Sequence, residues 1–223
     1  MGFEDMPTET AVAPAARDSD SSDSEMVSIL RLLRKEKVDK LTIENQQMKS
    51  DFETLNSRLN DLEQASRMNN LEIQGVQERE NENLFQIMNK VCSTLNIPVV
   101  EGDFERIHRV RSNSKYSPKD KPKNIIVTCS SRRLKDSILL ANKRLRTQTN
   151  SKSSALSVEG LSNDIYINEH LTLANKILHK ETREVARKRG IKFVWVRDGR
   201  VFARKTEASP ILHIRGTCML QKL

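Results

Sequence analysis

Apolar residues between Val38 and Leu62 recur in steps of three and four: Val38, Leu41, Met48, Phe52, Leu55, Leu59 and Leu62, with Asn45 the one polar member of the series. Taking Val38 as heptad position a puts Val38, Asn45, Phe52 and Leu59 at a, and Leu41, Met48, Leu55 and Leu62 at d. This is a coiled-coil seam, and it predicts an oligomer. The alternative is one amphipathic helix lying on its own domain. An a/d stripe is narrower than the apolar face such a helix needs, and no Gly or Pro interrupts it. In a parallel assembly Glu44 at g meets Lys49 at e of a neighbour, and Arg58 at g meets Glu63 at e, both pairs opposite in sign.

The strand number is read from two features that disagree. Asn45 at an a position argues for a dimer. The run Arg58-Leu59-Asn60-Asp61-Leu62-Glu63 resembles the Arg-h-x-x-h-Glu pattern (h apolar) of short trimeric coils, in which the arginine reaches a neighbour's glutamate. A parallel trimer is favoured, with the dimer as the other choice. Upstream, Leu30 and Leu33 continue the stripe only with a shift of register, which would locally unwind a superhelix.

The period changes after Met68. Leu71, Ile73 and Val76 predict a strand ending near Gly75, and Asn83 starts a helix carrying Leu84, Ile87, Met88, Val91 and Leu95 that Pro98 stops. A strand over Phe104 to Val110, a polar loop from Arg111 to Lys123 and a strand over Asn124 to Cys129 follow. Ser131 is the N-cap of a second helix whose Leu134, Ile138, Ala141 and Leu145 share a face. Ser154 to Val158 is assigned as the last strand of a βαββαβ domain, the ferredoxin-like plan of RNA-recognition motifs. Beyond it, Asp164 to Asn168 predicts a strand and Leu171 to Arg189 a helix ended by Gly190. Ile191 to Lys205 predicts a hairpin turning at Asp198-Gly199, and Ile211 to Arg215 a further strand. The fold class is therefore α+β: an acidic disordered tail (1–25), a coiled coil (26–67), an RNA-recognition-motif-like domain (68–159), a small C-terminal α/β domain with a hairpin (160–215) and a tail (216–223).

Composition supports a rod with small domains. Of 223 residues 36% are apolar and only 4% aromatic, too few for one large core. The formal net charge of +8 is unevenly spread. Residues 1–25 carry seven acids and one base, with Ser19, Ser21, Ser22 and Ser24 among the acids in a pattern that acidophilic kinases favour. From Phe104 to Lys152 fourteen basic residues face three acidic ones, which predicts polyanion binding with a steep salt dependence. Cys92, Cys129 and Cys218 lie far apart and make no metal-ligand spacing, which points to a reducing compartment and away from a zinc finger. There is no apolar run of membrane-spanning length and no signal-peptide pattern, so an intracellular protein, nuclear or cytoplasmic, is expected. No nucleophile constellation, phosphate loop or metal set appears. No enzyme activity, cofactor, membrane contact or small-molecule substrate is expected.

The binding residues follow from charge and aromatic placement. With a two-residue turn, Val194, Val196, Val201 and Ala203 share one face of the hairpin, expected to pack on Leu173, Ile177, Leu178 and Val185 of the preceding helix. Phe193, Trp195, Phe202, Arg197, Arg200 and Arg204 share the other, an aromatic platform edged by arginines that suits single-stranded nucleic acid. The competing reading buries those rings under the neighbouring domain. Lys176, Lys180, Arg183 and Arg187 make a basic stripe along the helix. In the middle domain Arg132 and Arg133 join the candidates. The predicted strands there lack the usual RNP aromatics, so backbone charge should dominate over stacking on that sheet.

From Asp164 onward, Asp-Ile-Tyr-Ile-Asn-Glu-His-Leu-Thr, the Lys/Arg-rich helix and Phe-Val-Trp-Val-Arg-Asp-Gly-Arg-Val-Phe-Ala-Arg-Lys resemble the C-terminal domain of the baculovirus FP (few-polyhedra) protein family and its insect relatives, over roughly residues 160–215. Residues 216–223 do not continue that pattern, the expectation for a truncated or decayed copy. The layout from about residue 30 to 215, with Asn70-Leu71-Glu72-Ile73-Gln74-Gly75-Val76 and Arg106-Ile107-His108-Arg109-Val110, is also similar to first-open-reading-frame proteins of LINE-type retrotransposons. That resemblance implies a nucleic-acid chaperone that binds single strands, with Arg106, Arg109 and Arg111 in the binding set. The insect relatives' N-terminal zinc-binding finger has no counterpart here. The expected function is an oligomeric, non-enzymatic binder of single-stranded RNA or DNA. The alternative is a structural coiled-coil protein that recruits viral or nuclear partners.

Overall fold

The computed structural model describes residues 19–110, 122–148, 155–161 and 164–222. It divides into two compact units, Met1–Asn56 and Ser57–Leu223. The protein is mixed α and β, with a long N-terminal helix and two antiparallel sheets.

Helix α1 (Ser19–Ala65) carries the whole heptad series. It begins inside the segment assigned from sequence to the acidic tail. Val38, Leu41, Met48, Phe52, Leu55, Leu59 and Leu62 are each between 54% and 70% exposed.

The four-stranded sheet of the second unit has the order β2-β3-β1-β4, antiparallel throughout. It is built from β1 (Asn70–Gln74), β2 (Phe104–Arg109), β3 (Ile125–Cys129) and β4 (Tyr166–Glu169). Helices α2 (Leu84–Thr94) and α3 (Arg132–Gln148) cover one face. Leu71, Ile73, Ile125 and Val127 meet Met88, Val91 and Ile138 there in a single apolar cluster. Asn83 caps α2 through its side chain, which accepts from the Gln86 amide at 3.1 Å. The Ser131 hydroxyl accepts from the Leu134 amide at 3.2 Å. Helix α2 stops before Pro98, because Asn96 takes a left-handed backbone at φ 55°.

The fourth strand is not where the sequence placed it. Tyr166–Glu169, read as the first strand of the C-terminal segment, pairs with β1. From the stretch given that role, Leu156 makes only an isolated bridge to Ile165. Gly75 allows the chain to close up here: its φ is +92°, and a Cβ would fall on the Asp164 carbonyl.

The second sheet has the order β5-β6-β7, from β5 (Phe193–Arg197), β6 (Arg200–Arg204) and β7 (Leu212–Ile214). Its hairpin register is the one read from sequence, from Phe193↔Arg204 to Arg197↔Arg200. Asp198 and Gly199 both have positive φ, 54° and 70°, as a type I′ turn requires. Helix α4 (Leu173–Arg189) is capped by Thr172 and ended by Gly190 at φ 68°. It buries Leu178, Thr182 and Ala186, not Leu173 and Ile177, which are 75% and 49% exposed. The Thr182 hydroxyl bonds the Leu178 carbonyl at 2.7 Å, and this lets a polar residue occupy the packed face. After β7 the chain makes a short 3-10 turn, Thr217–Lys222, whose Leu220 joins the second apolar cluster.

Candidate nucleic-acid interface

The hairpin is held by its turn. The Glu169 carboxylate at the end of β4 accepts from the Asp198 amide at 3.1 Å and the Gly199 amide at 2.7 Å. Arg132 pairs with Asp198 at 2.5 Å, and buried Lys135 lies 3.8 Å from Glu169. From α1, Gln64 donates to the His170 carbonyl at 3.0 Å and accepts from the Thr172 amide at 3.0 Å and the Asn175 amide group at 3.1 Å. Thr172 Oγ1 donates to Asn60 Oδ1 at 2.6 Å, and Asn175 Nδ2 also reaches the Gly199 carbonyl at 3.0 Å. In the heptad numbering Asn60 and Gln64 are b and f, the positions farthest from a coil's seam. The end of α1 therefore grips α4 and the hairpin while Leu59 and Leu62 stay exposed.

The face of the second sheet turned away from its aliphatic side carries a ladder of rings across three strands. Trp195 stacks on Phe202 with centroids 5.7 Å apart and planes 19° from parallel, and Phe202 meets His213 at 5.0 Å. The Arg204 guanidinium lies 5.1 Å over the Phe193 ring. All four aromatic and imidazole rings are half-buried. Burial, then Arg215 and Arg200, holds the His213 imidazole below its ordinary pKa. The corresponding face of the four-stranded sheet carries Glu72, 2% exposed, which accepts from Asn124 Nδ2 at 2.7 Å and Lys176 Nζ at 2.8 Å.

Between these features lies a cleft of about 850 Å³. Gln74, Ile167 and Asn168 come from the four-stranded sheet. Asn142, Lys143 and Arg146 come from α3. Lys176, His179 and Arg183 come from α4, and Val194, Trp195 and Val196 from β5. Burial first, and Arg183 second, lowers the His179 pKa, which favours the neutral imidazole. The lining thus combines basic side chains with an indole ring.

The basic residues named from sequence separate into distinct environments. Lys176, Arg183 and Trp195 come together at the cleft. Lys180 and Arg187 extend the exposed stripe of α4, and Arg197 and Arg200 are exposed beside the hairpin turn. Phe202 belongs to the ring ladder and Arg204 stacks on Phe193. Arg133 is exposed near the start of α3, whereas Arg132 is tied to Asp198. Arg106 is exposed on β2, the edge of the sheet opposite β4.

Arg109 is engaged in holding the fold. It pairs with Glu82 at 2.5 Å and donates to the carbonyls of Val76, Gln77 and Lys123, with only 10% of its side chain exposed. Its hydrogen bond lowers the Glu82 pKa. Arg111 lies outside the described residues. Lys143, Arg146, His179 and Asn142 join the cleft unannounced. The first two were visible only as part of the basic excess, and nothing in the periodicity marked the others.

Cys92 and Cys129 are free and buried, their thiols pushed up to about 12 chiefly by burial. Among the described residues no group of His, Cys, Asp or Glu is arranged to hold a metal ion, and no helix is long and apolar enough to cross a membrane. No curated protein matches the chain. Residues 216–223, expected to fall outside the family pattern, lie within a family match. Residues 172–223, from the N-cap of α4 through the hairpin to the final turn, match the family model described as Baculovirus FP protein domain 2, so this segment is similar to that domain.

Proposed function

We propose that this is an oligomeric, non-enzymatic protein that binds single-stranded RNA or DNA in the cleft of its second unit and acts as a nucleic-acid chaperone. The observation that carries the reading is the convergence of Lys143, Arg146, Lys176 and Arg183 with the chain's one tryptophan around a single cleft. Cations neutralise phosphates and an aromatic ring stacks on a base, a combination suited to unpaired strands. The uncovered seam of α1 supports a coiled coil, with the parallel trimer favoured and the dimer as alternative. Placement of the docking residues Asn60 and Gln64 at b and f leaves that seam free for other copies. Assembly would multiply weak phosphate contacts through effective concentration. The strand order supports a ferredoxin-like reading of the first domain. With the FP-like segment it is in keeping with a viral or mobile-element origin and with the LINE-type layout. A nuclear or cytoplasmic setting suits this reading.

The test is binding of the purified chain to fluorescent single-stranded RNA and to duplex DNA over a salt series, with mass measured by light scattering. The expected result is a trimer or dimer that favours the single strand. Its log–log salt slope should be about −2 per cleft, from three phosphates neutralised, because Lys176 is already paired with Glu72 at 2.8 Å. Negligible binding by a well-folded oligomer would overturn this reading and favour a coiled-coil protein that recruits viral or nuclear partners.

A further inference from the structure

We infer that the cleft holds a nucleobase as well as phosphates, with Asn142 the side chain that reads the base. The inference rests on the nucleic-acid reading above. Lys143 and Arg183 are exposed at the rim, but Asn142 is 4% exposed and its Oδ1 has no hydrogen-bond partner. A buried amide oxygen without a donor is a standing cost that folded proteins rarely keep. A phosphate oxygen only accepts, so it cannot satisfy Asn142 Oδ1. The ring N–H or exocyclic amine of a base can donate to it.

The wall opposite supports the same occupant. Val194, Trp195 and Val196 are consecutive strand residues, whose side chains point alternately to the two faces of their sheet. All three can line one cavity only if the edge of β5 faces it, and β5 is the outer strand of its sheet. Its outward N–H and C=O groups and the Trp195 ring therefore border the cleft, over an apolar floor of buried Ile167 and Leu171. Hydrogen-bonding groups, an aromatic wall and an apolar floor inside a basic rim fit a base held inside, with its phosphates at the mouth.

The experiment uses the full chain, a labelled deoxyribo-oligonucleotide of 20 residues, roughly the span of a few clefts, and the same backbone made abasic, with equal phosphate count. Trp195, the sole tryptophan, reports stacking by its fluorescence. The base-bearing strand should bind about tenfold tighter and alone quench Trp195. Asn142→Leu should bring its affinity down toward the abasic value with the salt slope unchanged. Trp195→Leu, at a half-buried position, should do the same and serves if Asn142→Leu fails to fold.

Equal binding of the two strands by the wild-type chain would overturn the base slot and leave the phosphate-binding reading standing. A preference for RNA over DNA that Asn142→Leu removes, with no effect of the bases, would assign the donor to the ribose hydroxyl and likewise overturn it. No binding of either strand would overturn the inference together with the nucleic-acid reading.

Discussion

The two sheets of the second unit each pack one face on helices, and their other faces have opposite characters. On the four-stranded sheet, Leu71 and Ile73 face the apolar core while Glu72 between them points the other way, sealed by Asn124 and Lys176. On the three-stranded sheet, Val201 and Ala203 face the second core, and the opposite face bears the Trp195, Phe202 and His213 ladder. The same alternation thus produces a closed polar contact in one sheet and a half-exposed row of rings in the other. The cations divide likewise. Arg109, Arg132 and Lys135 are engaged by carboxylates or carbonyls, while Lys180, Arg183 and Arg187 remain exposed. A cation already neutralised within the fold would release few counterions to a bound polyanion, so under the proposed function net charge overstates the number of phosphates that could be engaged.

The largest effect should come from Arg109→Ala, which leaves the Glu82 carboxylate and three carbonyls without their donor. A loss of about 3 kcal/mol of stability in urea unfolding is expected, with the salt slope of the folded protein unchanged. Weakened strand binding at unchanged stability would show that Arg109 belongs with the binding cations. Gly199→Ala should cost about 2 kcal/mol, since it strains a φ of +70° and drives a Cβ into Gln64, and should appear as a lowered melting temperature. Trp195→Ala should weaken single-strand affinity about tenfold, with about 1 kcal/mol of stability lost with the half-buried ring stacked on Phe202. Lys180→Ala or Arg187→Ala should each shift stability by less than about 0.5 kcal/mol. If the strand tracks the α4 stripe, each should also flatten the salt slope by about 0.7.

Acid should act on the packed imidazoles. His170 and His179 are both held below the ordinary value of 6.5 chiefly by burial. As pH falls through 6.5 toward their lowered folded values, the unfolded chain takes up protons that the folded chain resists, so stability declines over that window and is fully present above it. Melting temperature should therefore be lower at pH 5.5 than at pH 7.5. His179→Gln should remove part of the difference, and an unchanged pH dependence would locate the effect elsewhere.

Much of this architecture is legible along the chain because it depends on near neighbours. The Asp-Gly pair and the alternation around it specify the hairpin register residue by residue, and Asn83 and Ser131 mark helix starts through bonds three residues ahead. The heptad series of α1 is equally local. The fourth strand of the first sheet was misplaced because two candidate stretches have comparable local patterns, and only pairing with β1 and the close approach of Asp164 to Gly75 choose between them. Leu173 and Ile177 were assigned to the core for a similar reason: an apolar tally along α4 cannot show that Thr182 satisfies its own hydroxyl and packs in their place.

By itself the sequence determined the periods, caps and turns, the excess of positive charge and the separation of aliphatic from aromatic positions along the hairpin. Those properties follow from side-chain chemistry and backbone sterics within a few residues. Tertiary structure alone decided which cations are neutralised by carboxylates, how Gln64 joins α1 to the hairpin turn, and that Asn142, Trp195, Lys176 and Arg183 surround one cleft. Such contacts join groups distant in sequence, and their energies depend on burial and geometry that exist only after the chain has folded.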